Sequence, residues 1–214
     1  MVDVAPSVGL IRDGGIGTQI QLGQTIAPAS GYVQGVDAYG NAIVMTEGTK
    51  PTYSAGATAL AVVTGATDFW QLSAVSKTVR ILRIGITGTA SIAVIVPVIL
   101  FRRPTQTTAG TPASGLALPV AAVHDTANSA ATATLNAWTA NPTVTTTGQL
   151  TIRTAGLACP VNTDATSPSA ILWDFTTRNG QGLVLRAGQY AALNLNAAAI
   201  STASFNIDVE WTEE

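Results

Sequence analysis

The chain ends in SFNIDVEWTEE, residues 204–214, and this stretch decides what kind of fold to expect. Apolar residues alternate strictly with polar ones, so that one set shares a single face of an extended segment: Phe205, Ile207, Val209 and Trp211. Successive side chains of a β-strand point to opposite sides of the sheet. The pattern therefore predicts a strand with one buried face and one face in water, as is typical of antiparallel sheets.

Segments of similar character precede this one from residue 67 onward. Two long strands, joined by a short turn that contains glycine, are predicted from DFWQLSAVSKTVRILRIGITG and TASIAVIVPVILFRRP. Pro97 lies in the second strand and cannot donate a backbone hydrogen bond, so it indicates an edge position or a bulge. Six further segments of this kind follow: PVAAVHD, ATATLNAWTANP, TGQLTIRTAG, SAILWDFT, GLVLRAG and YAALNLNA. No stretch of the chain has helical periodicity over three turns. Residues 67–214 are therefore predicted to form an all-β, jelly-roll-like antiparallel β-sandwich.

WDFTTRNGQGLVLR, residues 173–186, contains an Asn-Gly pair between two apolar runs. Asn179 and Gly180 predict a tight hairpin turn, because both central residues of such a turn need positive φ. That hairpin would bring Asp174 close to Arg186 on the opposite strand. We expect a structural ion pair there, with the paired carboxylates of a glycosidase as the sharper alternative.

The same segment supplies candidates for contacts with other chains. Arg178 and Arg186 offer planar guanidinium groups, which are favoured where a neighbouring chain presents a carboxylate or carbonyl groups. Asp174 is the third candidate for such a contact. We therefore interpret this segment as part of a scaffold and not as a catalytic site.

Residues 1–66 differ from the rest, because Gly, Ala and Thr are abundant and large apolar residues are scattered. Gly31–Val36 and Ala42–Met45 predict a short hairpin around the turn DAYGN. We interpret residues 1–66 as an extended N-terminal arm that carries this hairpin and packs on other chains. A flexible leader is the alternative for a segment of this composition.

Charged residues make up only 10% of the 214 residues, and the formal net charge is −2. A surface so poor in charge is typical of a protein covered by neighbours, because a charge at a buried contact must be desolvated or paired. The chain has no basic run of the kind that binds nucleic acid, and its one adjacent pair, Arg102 and Arg103, is read as a solvated strand end. The longest apolar run, Ile92 to Phe101, is about half of the ~20 residues that span a bilayer. We therefore expect a soluble protein, made in the cytoplasm without a signal peptide, that binds neither nucleic acid nor membrane.

Residues suited to catalysis are few. His124 is the only histidine and Cys159 the only cysteine, so one chain has neither two imidazoles for a metal nor an internal disulfide. A GxSxG nucleophile motif is missing as well. We predict no enzyme activity, no cofactor and no metal. Trp138 could stack on a sugar in a binding module, but a place in the core of the sandwich is the preferred interpretation.

Several stretches resemble a group of structural proteins from the virions of tailed bacteriophages. The resemblance covers roughly residues 67–214 and is most specific in WDFTTRNGQGLVLR and in the closing DVEWTEE. The resemblance extends to three other stretches: DFWQLSAVSKTVRILRIGITGTA, PVILFRR and AAVHDTANSAATATLNAWTANPT. No chemical mechanism accompanies these motifs, so the resemblance implies a context and not an activity.

The resemblance implies a jelly-roll decoration or cement protein on the outer surface of the capsid. Its expected partners are the major capsid protein and further copies of itself, arranged as a homotrimer. The arm of residues 1–66 would reach over neighbouring subunits, since extended chain spans about 3.3 Å per residue. A tail-fibre or receptor-binding module of the virion is the alternative function.

Overall fold

The computed structural model describes residues 34–36, 42–44, 50–62, 68–140, 142–161, 169–176, 182–196 and 203–214. The chain divides between residues 49 and 50 into two units. In the first unit, β1 (Gln34–Val36) pairs antiparallel with β2 (Ala42–Val44). This pairing confirms the short hairpin expected there, and its turn residues 37–41 lie outside the described part of the chain.

The second unit, Lys50–Glu214, holds the remaining strands, and the described residues contain no α-helix, only a short 3₁₀ helix at Gly115–Ala117. In chain order the strands are β3 (Thr52–Val62), β4 (Asp68–Ser73), β5 (Val79–Ala90), β6 (Val94–Arg103), β7 (Thr111–Pro112), β8 (Ala122–Val123), β9 (Thr134–Ala140), β10 (Leu150–Cys159), β11 (Ala170–Asp174), β12 (Leu183–Leu185), β13 (Tyr190–Asn194) and β14 (Ala203–Glu213).

These strands form two antiparallel sheets that pack face to face. The first, called the β4 sheet, has the order β10-β6-β13-β4-β9-β7. The second, called the β14 sheet, has the order β11-β5-β14-β3-β8, with β12 also paired to β5. The connectivity is that of a jelly roll for the eight main strands β3, β4, β5, β6, β10, β11, β13 and β14. The chain changes sheet at each step between them except from β6 to β10, which lie side by side in the β4 sheet. The predicted fold class is therefore confirmed.

Apolar side chains from both sheets fill the space between them. The rings of Phe69, in the β4 sheet, and Phe205, in the β14 sheet, lie 5.1 Å apart. Trp211 stacks on Tyr53 of the neighbouring strand at 5.8 Å. All four apolar residues of the closing strand are buried, as their alternation predicts. Aromatic pairs at these separations contribute about 0.5–1.5 kcal/mol beyond the area that they bury.

Strand β3 corrects the predicted boundary at residue 66, because Thr52–Val62 belongs to the sandwich and not to an arm. It lies inside the β14 sheet, paired with β14 on one side and with β8 on the other. Its inward positions carry Ala55 and Ala57 beside larger residues. Both alanines are buried, so a segment with few bulky residues can still form a strand inside the sandwich.

The link between β5 and β6 is not a hairpin turn within one sheet. Residues 91–93 carry the chain from the β14 sheet to the β4 sheet. In β6, Pro97 lies opposite Gly156 of β10, whereas β13 reaches only as far as Ile99. At Pro97, β6 therefore has just one partner strand among the described residues, which confirms the edge position expected for this proline.

The prediction that the two segments within residues 173–186 pair with each other as a hairpin is wrong. β11 and β12 do not pair with each other, and both pair antiparallel with β5. Asp174 lies opposite Arg83, and Leu183 follows two positions further along, opposite Ile81. The two segments form one interrupted edge strand. An Asn-Gly pair signals a turn, but it does not say which strand the flanking segments will join.

Candidate functional site

Asp174 closes the end of β11 through contacts within its own segment. Its Oδ1 atom accepts hydrogen bonds from the backbone N–H of Thr176 at 2.7 Å and from the Thr176 hydroxyl at 2.6 Å. These two bonds, with a smaller contribution from the charge of Arg83, hold the pKa of the Asp174 carboxyl below its usual value. The carboxylate is exposed and stabilises a local turn.

The ion pair expected between Asp174 and Arg186 is not formed. Leu185, the neighbour of Arg186, lies opposite Val79, whereas Asp174 lies opposite Arg83, so the two residues meet different parts of β5. The Arg186 guanidinium instead donates to the hydroxyl of Thr78 at 3.3 Å. It remains exposed to solvent and could still meet another chain.

Three other predicted site residues, Arg178, Asn179 and Gly180, lie outside the described residues. Trp138 lies on β9, next to Pro112 of β7, and only 6% of its surface is exposed. Its ring therefore has no open face on which a sugar could stack. Trp138 is thus buried, but it does not belong to the main apolar core, unlike its neighbour Ala137.

A buried ion pair joins Asp68 of β4 to Arg103 of β6. The Arg103 guanidinium lies 2.8 Å from the Asp68 carboxylate, and the two side chains are 1% and 0% exposed. The expectation that Arg102 and Arg103 form a solvated strand end is thus wrong for Arg103. Its carboxylate partner lies 35 positions earlier in the chain, a distance that no local pattern spans.

Further hydrogen bonds complete this cluster. The Asp68 carboxylate accepts from the Thr107 hydroxyl at 2.5 Å and from the Asn194 amide at 2.9 Å, while Arg103 donates to the Thr145 carbonyl at 3.1 Å. Burial raises the pKa of Asp68 and outweighs the opposing effect of these partners. Burial likewise lowers the pKa of Arg103 against the attraction of Asp68. The cluster ties two loops to the β4 sheet and is closed to solvent, so its role is structural.

A second carboxylate, Glu213 at the end of β14, holds another loop. It accepts backbone hydrogen bonds from Thr132 and Ala133 at 2.9–3.0 Å. It also accepts from the Thr132 hydroxyl at 2.7 Å and from the indole of Trp211 at 3.1 Å. Burial alone would raise the pKa of Glu213, but the hydrogen bonds from Ala133, Thr132 and Trp211 together bring it below the ordinary value. Ionised Glu213 therefore anchors the loop before β9.

Several of the remaining charges pair on the outer face of the β14 sheet. Arg83 donates to Asp208 at 3.1 Å and to Glu210 at 3.0 Å, across β5 and β14. At one end of the same sheet, Glu214 pairs with Lys50 and Arg80. Within the described part of the chain, no group of three or more His, Cys, Asp or Glu residues is placed to hold a metal ion. These exposed pairs neutralise one another and leave a face of low net charge.

A loop between β7 and β8 holds three large apolar side chains in solvent. Leu116 is 80% exposed and Val120 is 71% exposed, with Leu118 partly exposed between them. Ala117 and Ala121 pack inward against the core, so alternate residues fix the loop while the others point out. We call Leu116, Leu118 and Val120 the apolar loop.

Sequence reasoning missed the apolar loop as a candidate site. Residues 104–119 are rich in Thr, Gly, Pro and Ala, a composition typical of a connection between strands. A signal was present, since GLALPV brings three large apolar residues together within a loop. Contiguous exposed apolar surface typically marks a site of contact with another protein or a ligand. The apolar loop is therefore a candidate contact surface.

None of the helices in the described residues is long and apolar enough to cross a membrane. Comparison with known proteins adds no relative: no protein-family model, no curated protein and no solved structure matches this chain.

Proposed function

We propose that this chain is a structural protein of a tailed-phage virion that decorates the capsid. It would bind the outer surface of the major capsid lattice and stabilise the head. A jelly roll is a common fold among viral capsid domains, although lectins and cupins share it. The resemblance in residues 67–214 and the low charge of the chain support the virion context over these alternatives.

The apolar loop is the single observation that carries the proposal. Its three side chains are held in solvent by a segment whose alternate residues are anchored in the core. Burying a Leu or Val side chain contributes about 1.5–3 kcal/mol. A protein that displays such residues on a fixed loop gains free energy when a neighbour covers them.

The low charge of the sandwich supports a role in a crowded lattice. Exposed carboxylates and guanidinium groups on the β14 sheet are paired with each other, so a neighbouring subunit would meet few unpaired charges. Each copy on a capsid needs only a modest affinity, because a lattice repeats the same contact many times. A cement protein would thereby add contact area over the whole shell.

Binding to purified heads tests the proposal. Heads prepared from phage that lacks the gene are mixed with the purified protein and pelleted, and the bound amount is followed to saturation. We expect saturable binding by the parent protein. The double variant Leu116→Gln/Val120→Gln should bind at least about tenfold more weakly, a loss of about 1.4 kcal/mol or more.

A matched control separates the loop from apolar surface in general. Leu172 lies on the outer face of the β14 sheet and is 63% exposed. Leu172→Gln should leave head binding unchanged. The proposal is wrong if the parent protein does not pellet with heads, or if the double variant binds as well as the parent.

The alternative, a tail-fibre or receptor-binding module, depended on exposed aromatic residues for sugar stacking. The one candidate named for that role, Trp138, is buried. No described feature favours this alternative over capsid decoration.

A further inference from the structure

The free edges of the two sheets differ greatly in length among the described residues. At one edge of each sheet the strand has only two residues, β7 in the β4 sheet and β8 in the β14 sheet. The other edge of the β14 sheet is interrupted between β11 and β12. Strand β10 forms the remaining edge with ten residues. Long edges are where sheets pair with other chains, and short or interrupted edges resist such pairing.

The direction of the backbone groups along β10 follows from one contact. The N–H of Ala158 donates to the Ser169 hydroxyl at 2.8 Å, and that hydroxyl donates back to the Ala158 carbonyl at 2.9 Å. Both groups of Ala158 therefore point away from β6. The register with β6 has no shift between Arg153 and Cys159, so the backbone groups of Thr154 and Gly156 point away from β6 as well.

Pro97 gives independent support for this direction. It lies opposite Gly156 in the register of β6 and β10. A proline has no N–H, so it fits at a position where the two strands exchange no hydrogen bond. Gly156 at such a position must direct its own N–H and C=O outward. Thr154 and Gly156 thus present two donors and two acceptors along the open edge.

This part of the edge carries none of the usual features that prevent pairing. Natural edge strands are commonly protected by lysine, proline or an inward-pointing charge. Between residues 153 and 158 the only charge is Arg153, and its guanidinium lies 5.6 Å from the ring centre of Phe175. Ala155 has a small side chain and Gly156 has none, so another strand can approach closely. The bulge before Arg153 and the Ser169 contact at Ala158 limit the open stretch on either side.

We propose that two copies of this chain associate through β10, paired antiparallel about a two-fold axis at Ala155. In that register Thr154 lies opposite the second copy's Gly156 and Gly156 lies opposite the second copy's Thr154. Each pair exchanges two N–H···O=C hydrogen bonds, and the two six-stranded β4 sheets join into one continuous sheet.

A second copy is the occupant that fits this edge because the edge is complementary to itself. A two-fold axis at Ala155 uses both outward-pointing residues, whereas an axis at Gly156 would direct Thr154 to the second copy's Ala158, whose groups are already bonded to Ser169. The charges agree with the same register, because Arg153 faces the second copy's Leu157 and no like charges meet. Isologous contacts of this kind are the commonest in homo-oligomers. The contact is independent of head binding and differs from a three-fold association.

Sedimentation equilibrium of the full chain over a range of concentrations tests the proposal. We expect a reversible dimer for the parent protein. Thr154→Pro removes one outward N–H and leaves the ladder to β6 intact, so it should raise the dimer dissociation constant at least tenfold. The matched control Thr154→Ala keeps the N–H and should dimerise like the parent. A parent protein that is a monomer or a trimer at all concentrations, or a Thr154→Pro variant that dimerises normally, would overturn the proposal.

Disulfide crosslinking decides the matter should the proline variant fail to fold. Two strands that pair about Ala155 bring the two copies of that residue to a Cα separation of about 4.5 Å, which a disulfide can bridge. Ala155→Cys should therefore form a covalent dimer on mild oxidation much faster than Ser76→Cys, an exposed control outside β10. Equal crosslinking rates for the two variants would contradict the two-fold pairing.

Discussion

Arg103 illustrates how a single charge is accommodated at a buried position of the β4 sheet. Its guanidinium packs over the ring of Phe101 at 4.9 Å and pairs with Asp68 at 2.8 Å. The two strands that carry the charges, β4 and β6, lie on either side of β13, which adds Asn194 to the cluster. Sequence alone could not predict this pair, because it depends on which strands become neighbours of β13.

Asp68→Asn should be among the most destabilising conservative changes in the chain. It leaves the buried Arg103 without a compensating charge, so we expect a loss of about 3–5 kcal/mol in the free energy of unfolding. Urea denaturation followed by tryptophan fluorescence measures it. Glu214→Gln, which breaks partly exposed ion pairs, is the control and should cost at most about 1 kcal/mol. Equal losses for the two variants would contradict the structural role of the buried pair.

Glu213 is expected to make stability depend on acid pH. Since its pKa in the folded protein lies below the ordinary value of 4.5, the ionised side chain adds stability above that pH. This stability is lost as the pH falls through the folded-state pKa. Glu213→Gln should reduce the free energy of unfolding at pH 7 by about 1–3 kcal/mol.

The pH profile supplies the decisive readout for Glu213. Denaturation midpoints measured from about pH 7 down to about pH 3 should fall less steeply in Glu213→Gln than in the parent protein, because one group with a lowered pKa has been removed. Parallel profiles would show that Glu213 does not contribute to the acid sensitivity of the fold.

At the scale of elements, the strands are best predicted where large apolar residues alternate. β14 follows its sequence pattern closely, since Phe205, Ile207 and Val209 are all buried. β3 was not predicted as a strand of the sandwich because Ala55 and Ala57 occupy inward positions that usually hold larger side chains. Periodicity reveals a strand only when the contrast between its two faces is large.

Strand β5 offers a matched pair of glycines for testing how closely the sheets pack. A Cβ at Gly88 would lie 3.0 Å from both the Cys159 sulfur and the Phe205 ring, whereas one at Gly85 would meet nothing closer than Asp208 at 3.9 Å. Gly88→Ala should therefore destabilise the protein by about 1–3 kcal/mol. Gly85→Ala should be neutral or stabilising by up to about 1 kcal/mol. Thermal unfolding of both variants checks the difference, and a tolerated Gly88→Ala would argue against the packing of β5 on β10.

At the scale of the whole molecule, the composition gave the right class of fold but the wrong boundary. Eight or so strands and the jelly-roll-like sandwich could be predicted because turn residues and apolar runs recur at short intervals. The pairing of β11 and β12 with β5 could not be predicted from the sequence, because it is set by contacts between segments far apart in the chain. The candidate contact surface escaped prediction for a related reason, since exposure depends on what the folded chain covers.

Two truncated proteins test the boundary directly. A fragment of residues 50–214 retains every strand of both sheets and should unfold cooperatively within a few degrees of the full chain. A fragment of residues 67–214 lacks β3, which lies between β14 and β8, and leaves one edge of β14 without its partner strand. We expect the shorter fragment to aggregate or remain unfolded by circular dichroism. A stable, cooperative fragment 67–214 would contradict the place of β3 inside the sheet.

The location of the protein on the particle tests the proposed function most directly. Antibodies raised against residues 50–214 and coupled to gold can be applied to intact particles of the phage that encodes the chain. We expect label over the whole surface of the head, as a protein bound throughout the capsid lattice requires. Label confined to the tail tip, or no label on intact particles, would contradict a role in capsid decoration.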